Sequence, residues 1–200
     1  MAMIFDHNLP RKGYNTGEYI GSATLNALRD DNQIGDERYN FVKVRKQGER
    51  KFKKAVKTDV GDKLTVRIYF HNNADRSLKA EGKGSVLDAK ITSTYGTLCC
   101  FEDEWEAYAN ACEGKCHGIM GYIDSSNNDP KRVQDFCVVN TPNSTTINNI
   151  IGSARITTKR GTQVFPDKGG LVNIGKVAGE IPPGEFGYVE EDYVVVKTGD

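Results

Sequence analysis

Residues 64–71 alternate apolar and polar side chains, and this pattern constrains the fold more than any other feature of the sequence. The apolar set is Leu64, Val66, Ile68 and Phe70, and the polar set between them is Thr65, Arg67, Tyr69 and His71. A period of two over eight residues predicts a β-strand with one buried and one solvated face. The pairs Gly61-Asp62 and Asn72-Asn73 favour turns at its two ends.

Short apolar and β-branched runs recur along the chain, with Gly or Pro between many of them. Further strands are predicted at 40–46, 52–58, 85–94, 118–124, 136–140, 150–158, 171–174 and 193–197. Helical signals are too few for a fold of alternating strands and helices. The spacing therefore predicts an all-β sandwich over residues 40–200.

Residues 1–39 are polar and rich in turn signals, and we interpret them as an N-terminal arm. Residues 24–28 are compatible with one helical turn. Two interpretations of the arm are open. It wraps over its own sandwich, or it donates a strand to a neighbouring subunit.

Residues 99–117 interrupt the strand pattern and predict a short helical insertion. Phe101, Trp105 and Tyr108 have the spacing of one helix face, and three acidic residues at 102–104 favour the helix N-terminus. These aromatic side chains either pack onto the sandwich or contact a ligand, such as a sugar or a host protein.

Four of the five cysteines lie in or beside this insertion, namely Cys99, Cys100, Cys112 and Cys116. In an oxidising compartment they would form disulfides. A bridge that closes a loop of about 15 residues contributes about 3 kcal/mol. Three pairings are possible, and we favour those that join Cys99 and Cys100 to the later two, because a bridge between adjacent cysteines is strained. A zinc site that includes His117 and free thiols are the alternatives.

The fifth cysteine and the histidines show no pattern of a catalytic site. Cys137 lies between Phe136 and Val138, so we predict a small buried apolar residue, with an intermolecular bridge as the alternative. His7, His71 and His117 are far apart in sequence. The sequence therefore predicts no enzyme, no catalytic residue, no resident metal and no cofactor.

The charge pattern argues against nucleic acid and lipid partners. Lys plus Arg and Asp plus Glu each number 27, so the chain as a whole is not drawn to polyanions. A basic run spans residues 43–57 and predicts either a solvated face that discourages edge pairing or a contact with acidic segments 102–106 or 185–192 of a neighbour. No run approaches the roughly 18 apolar residues of a membrane span, so we expect no membrane insertion.

Several short motifs occur in an order that resembles a known family. They are IGDERYNFV (34–42), VGD (60–62), YFHNNAD (69–75), GYIDSSNNDP (121–130), IGSARI (151–156), GEIPPG (179–184) and YVVVK (193–197). Together they resemble the Ig-like β-sandwich domain of bacterial and archaeal surface proteins, the "domain of unknown function eleven" type. The Cys-containing insertion and the single copy depart from that family's pattern.

The resemblance implies an Ig-like, Greek-key sandwich and a non-enzymatic, extracellular role at the cell surface. We expect a structural module whose partner is itself, either as a homopolymer or as neighbouring surface modules. It would assemble into an extracellular fibre by strand or arm exchange. The alternative is a ligand-binding adhesin domain, excised from a larger surface protein, that recognises carbohydrate or a host surface. A component of a cell interior or of a virion is a third hypothesis.

Overall fold

Strands account for most of the regular structure, and two sheets contain them. The computed structural model describes residues 11–97, 114–159, 161–164, 172–173 and 179–199. Within these ranges the strands are β1 (Val42–Lys46), β2 (Ala55–Lys57), β3 (Lys63–His71), β4 (Lys90–Thr97), β5 (Lys115–Asp124), β6 (Arg132–Thr141), β7 (Thr145–Asn149), β8 (Arg155–Thr158), β9 (Gly161–Val164), β10 (Val172–Asn173) and β11 (Phe186–Lys197). The helices there are α1 (Glu37–Asn40) and a 3₁₀ turn, Arg76–Lys79.

The larger sheet has the strand order β1-β3-β11-β8-β9, with β7 also pairing with β11, across the described residues. All of its pairs are antiparallel. The smaller sheet has the order β10-β4-β5-β6-β2 over the same part of the chain. Its pairs are antiparallel except for β2, which runs parallel to β6.

The two sheets pack against each other through a common apolar core, which confirms the prediction of an all-β sandwich. Leu64, Val66, Ile68 and Phe70 of β3 are each at most 1% exposed, so the alternating pattern identified the inner face correctly. The prediction of a solvated outer face was wrong at Thr65 and Tyr69, which are 2% and 3% exposed because other parts of the chain cover them. The sheets approach closely at Gly121 of β5. A Cβ atom there would lie 2.6 Å from Val42 Cγ2 of the opposite sheet, so this position has no room for a side chain.

A short connection joins the two sheets along one side. Lys53 exchanges two backbone hydrogen bonds of 2.8 Å with Val44 of β1. Two residues later the same segment becomes β2, which pairs with Val138, Val139 and Asn140 of β6. The chain around residue 54 therefore links the first strand of the larger sheet to the smaller sheet.

The described part of the N-terminal arm packs on its own sandwich. Ile20, Leu25 and Ala27 are buried, and Leu25 belongs to the main core cluster. The backbone N–H of Asn26 donates to the carbonyl of His71 at 2.9 Å. Over residues 11–39 the arm therefore contacts its own sandwich, and donation to a neighbouring subunit stays a prediction.

The helical turn expected at residues 24–28 was wrong. Leu25 forms a bridge with Asn72, and Leu28 forms one with Tyr14. These backbone groups bond to other parts of the chain, which prevents the local pairing of a helix. The helix lies instead at α1, where the Asp36 carboxylate accepts a hydrogen bond from the Arg38 N–H.

Several strand limits also differ from the prediction. Strand β4 begins at Lys90 instead of residue 85, because Asp88 has a φ of 54° and the Ala89 N–H bonds to Gly179. Strand β11 begins at Phe186, seven residues earlier than expected, and β7 and β9 were not predicted. Strand β5 begins at Lys115, so the last residues of the predicted insertion belong to a strand. Residues 99–113 of that insertion lie outside the described ranges.

Candidate functional site

The outer face of the larger sheet carries the polar side chains of β3 and β11 in matched rows. Thr65 lies opposite Asp192, Arg67 opposite Glu190, Tyr69 opposite Tyr188 and His71 opposite Phe186. The Arg67 guanidinium lies 2.6 Å from Glu190 and stacks between the rings of Phe52 and Tyr188, at 4.0 and 3.9 Å. Moving along β3 toward His71, the face therefore changes from ion pairs to aromatic rings.

The N-terminal segment covers the His71 end of this face and buries Glu37 against it. Glu37 is fully buried, and its Oε1 lies 2.7 Å from Nδ1 of His71. Its Oε2 accepts hydrogen bonds from the Leu28 N–H at 3.1 Å and from Asn73 Nδ2 at 2.9 Å. One carboxylate thus connects the N-terminal segment to the end of β3.

Asp31 brings a second carboxylate to the same place. The potential ligand atoms of Asp31, Glu37 and His71 all lie within 4.8 Å of one another. Asp31 Oδ1 accepts hydrogen bonds from the N–H groups of Gln33 and Ile34, at 2.7 and 3.0 Å. This tight turn fixes the direction of the Asp31 side chain, because short side-chain-to-backbone bonds hold such loops.

Tyr69 lies close enough to the two carboxylates for their charges to act on its phenol. Tyr69 is 3% exposed, and its hydroxyl has no hydrogen-bond partner among the described residues. Burial and the nearby charges of Glu37 and Asp31 raise the pKa of this phenol. The ring contacts His71 edge-on, at a centroid distance of 6.2 Å. A protonated donor without a partner is therefore part of the cluster.

We call Asp31, Glu37, Tyr69 and His71 the outer cluster. It contains one imidazole, two carboxylates and one phenol, and the His71 side chain is 14% exposed. Imidazole and carboxylate groups bind divalent metal ions, and a buried carboxylate also orients a histidine ring. The outer cluster has the donor set for either role.

A second buried glutamate lies between the two sheets. Glu191 Oε2 accepts hydrogen bonds from Ser93 Oγ and from Tyr193 Oη, the latter at 3.1 Å. Tyr95 packs edge-on against Tyr193 at 5.8 Å. Burial and Glu191 raise the pKa of the Tyr193 phenol. We call Ser93, Glu191 and Tyr193 the inner cluster.

Several members of the basic run at 43–57 are paired within the chain. The Lys54 ammonium lies 2.7 Å from the buried carboxylate of Asp135, whose other oxygen accepts the Val42 N–H. Lys46 pairs with Asp62 at 2.7 Å. Burial lowers the pKa of nearby Arg11 to about 10, and Asp135 opposes this shift. Lys46 and Lys54 are thus engaged in pairs within the chain.

The predicted disulfide residues and aromatic contacts mostly fall outside the described ranges. This applies to Cys99, Cys100, Cys112, Phe101, Trp105 and Tyr108. Cys116 lies on β5 and packs against the small apolar cluster around Met120. The disulfide and ligand-contact hypotheses stay predictions.

Cys137 and His117 are both buried, and burial shifts the pKa of each. Cys137 is free and fully buried, as predicted, and burial raises the pKa of its thiol to about 12. His117 is buried, with Nε2 at 3.1 Å from Thr141 Oγ1. Burial lowers the pKa of His117 to about 4, with a smaller effect from Lys115. His117 therefore stays neutral at pH 7.

The sequence did not reveal the partners of His71. The motifs that carry the resemblance include both Glu37 and His71, but nothing in the spacing connected the two side chains.

Comparisons with protein-family models, curated proteins and solved structures find no significant match to this chain. The described residues include no helix long and apolar enough to cross a membrane.

Proposed function

We propose that the chain is an Ig-like, Greek-key sandwich that works as a non-enzymatic structural module at the cell surface. In this proposal it assembles with copies of itself into an extracellular fibre. The observation that supports assembly is the outer edge of β4. Among the described residues, β10 pairs with β4 only at Lys90 and Ile91, whereas β5 pairs with its full length on the other side.

The edge of β4 beyond Ile91 has the composition of a strand that accepts another strand. Residues 92–96 are Thr, Ser, Thr, Tyr and Gly, without the charged or proline residues that usually protect an edge. Thr94 and Tyr95 are exposed. A neighbouring strand would gain backbone hydrogen bonds along this edge, and a chain with zero net charge offers little repulsion between copies.

Strand addition is a better route than exchange of the N-terminal arm over residues 11–39. That part of the arm is fastened to its own sandwich through Glu37, His71 and Asn73. Exchange would break these buried contacts before new ones form. We therefore assign the intermolecular contact to the sheet edge.

Thr94→Lys tests the edge, because a lysine there places charge on the proposed contact. Thr198→Lys is the matched control, since Thr198 is exposed in the turn after β11. Sedimentation velocity and electron microscopy over a concentration series should show assembly of the wild type and of the control, and loss of assembly in Thr94→Lys. A wild type that stays monomeric at every concentration would contradict the proposal, as would unchanged assembly of Thr94→Lys.

The proposed location outside the cell has its own test. Peptide mapping under non-reducing conditions, on protein from its native source, should find bridges among Cys99, Cys100, Cys112 and Cys116. Free thiols at all four positions would contradict an oxidising compartment and favour the interior or virion hypothesis.

The adhesin alternative depends on Phe101, Trp105 and Tyr108. Trp105→Ala should abolish binding to a carbohydrate or host-protein panel while the domain stays folded. Equal loss of binding and of folding would instead assign Trp105 to the core.

A further inference from the structure

We propose that Asp31, Glu37 and His71 bind one divalent metal ion of the zinc class, and that this ion fastens the N-terminal segment to β3. The site does not depend on the proposed assembly. It lies where the described part of the arm meets the outer face of the larger sheet.

The donor set and its spacing fit such an ion. Zinc takes imidazole nitrogen and carboxylate oxygen at about 2.0–2.2 Å, so neighbouring ligand atoms in a tetrahedron lie about 3.3–3.6 Å apart. The three ligand atoms here lie within 4.8 Å of one another. Binding would therefore need a rotation of the His71 ring, because its Nδ1 lies 2.7 Å from Glu37 Oε1 and the two atoms must move apart to hold an ion between them.

The charge of the cluster also favours a cation. Two carboxylates face a single imidazole, so the group has excess negative charge whether the ring is neutral or protonated. Glu37 is fully buried, and a buried charge requires a partner. A divalent ion between these groups would neutralise both carboxylates.

Hydrogen bonds already hold two of the ligands in place. Backbone N–H groups occupy Asp31 Oδ1, while the Leu28 N–H and Asn73 Nδ2 occupy Glu37 Oε2. Glu37 Oε1 and His71 Nδ1 face each other at 2.7 Å, and Asn73 Nδ2 lies 3.0 Å from the same ring nitrogen. The ion would take the place of the proton between these two atoms, and the remaining ring proton would be on Nε2. Hydrogen bonds of this kind, from groups that do not touch the ion, orient the side chains that bind it.

The Tyr69 hydroxyl is an independent observation that points to a ligand at this place. The side chain is buried, and its hydroxyl has no hydrogen-bond partner in the part of the chain that the structure describes. Buried polar groups nearly always have a partner. A water in the fourth coordination position of the ion would accept a hydrogen bond from the Tyr69 hydroxyl. It would complete the coordination of the ion and give the hydroxyl a partner.

Cobalt(II) is the probe for this site, because its visible spectrum reports coordination number and ligand type. Titration of the full chain with cobalt chloride should give ligand-field bands that saturate at one ion per chain. The near-ultraviolet charge-transfer band of a thiolate ligand should not appear. Zinc should then displace the cobalt, and either ion should raise the melting temperature.

Two variants and one control separate this site from other metal-binding groups. Asp31→Asn keeps the acceptor for the tight turn and should weaken cobalt binding at least tenfold, and Tyr69→Phe should weaken it several-fold. Asp30→Asn removes the same charge one residue away, where Asp30 bonds to Thr16, and should bind like the wild type.

Three results would overturn the proposal. They are the absence of saturable binding at millimolar cobalt, a thiolate charge-transfer band as the main signal, and wild-type affinity in Asp31→Asn. If circular dichroism shows that Asp31→Asn is unfolded, Tyr69→Phe decides the question, because the loss of one hydroxyl leaves the packing in place. Wild-type affinity in Tyr69→Phe would then contradict the site.

Discussion

The outer and inner clusters each contain a buried glutamate, but their surroundings differ. Glu37 faces His71 and backbone or amide donors, at a border between the N-terminal segment and the sheet. Glu191 faces the hydroxyls of Ser93 and Tyr193, between two sheets. The outer cluster joins separate parts of the chain through ionisable groups, of which the His71 side chain is 14% exposed. The inner cluster satisfies a polar group inside the core.

Removal of Glu37 should have the largest effect on stability. Glu37→Ala leaves the Leu28 N–H, Asn73 and His71 without their acceptor. Buried donors that lose a charged acceptor lower the stability of the folded state. We expect the free energy of unfolding to fall by about 3 kcal/mol in urea denaturation. Limited proteolysis should also begin within residues 11–39.

Glu81→Ala is the control for this change, because Glu81 forms an exposed pair with Lys83. Such pairs contribute about 0–1 kcal/mol. A Glu37→Ala protein as stable as this control would show that the outer cluster does not hold the segment.

Glu191→Gln should have a smaller effect of a different kind. The amide keeps one oxygen acceptor for the two hydroxyls but adds donors inside the core. We expect a loss of about 1–2 kcal/mol, measured in the same way, with residues 11–39 still protected from protease. Early cleavage in that segment would mean that the two clusters are coupled.

The same tyrosine-to-phenylalanine change should act differently in the two clusters. Tyr193→Phe removes a hydroxyl that donates to Glu191 and should cost about 1 kcal/mol. Tyr69→Phe removes a hydroxyl without a partner among the described residues, so the metal-free protein should lose no stability. Equal losses in thermal denaturation would contradict the distinction between the clusters.

His117 on β5 extends the comparison to pH. The pKa of His117 falls from 6.5 to about 4 in the folded chain, so the unfolded state binds a proton first as the pH decreases. The free energy of unfolding should therefore fall between about pH 6.5 and pH 4. His117→Asn should show a shallower fall in urea denaturation across this range. An unchanged slope would mean that His117 has the same pKa in the folded and the unfolded chain.

The sequence predicted β3 well because its inner and outer faces alternate without exception over 64–71. It missed the first half of β11, where Glu190, Glu191 and Asp192 hide the period of two. Glu190 and Asp192 pair with arginines on the outer face, whereas Glu191 points inward to hydroxyls. A charged residue on an inner face can be recognised only once its partners are known.

The outer cluster could not be predicted because its members come from distant parts of the chain. Glu37 and His71 are 34 residues apart, and their contact depends on how an irregular segment crosses the sheet. That segment has no periodic pattern, and one isolated bridge joins its Leu25 to Asn72, directly after β3. Its path depends on single hydrogen bonds to the side chains of Asn72, Asn73 and Asn128. No local sequence pattern predicts these bonds.

Hydrogen–deuterium exchange of residues 11–39 tests the central claim most directly, namely that this segment is fastened to its own sandwich through Glu37 and His71. The Asn26 and Leu28 N–H groups bond to His71 and Glu37, so their exchange should be slow in the wild type. It should become slower with zinc and fast in Glu37→Ala. Exchange of these amides at the rate of an unprotected chain in the wild type would contradict the account.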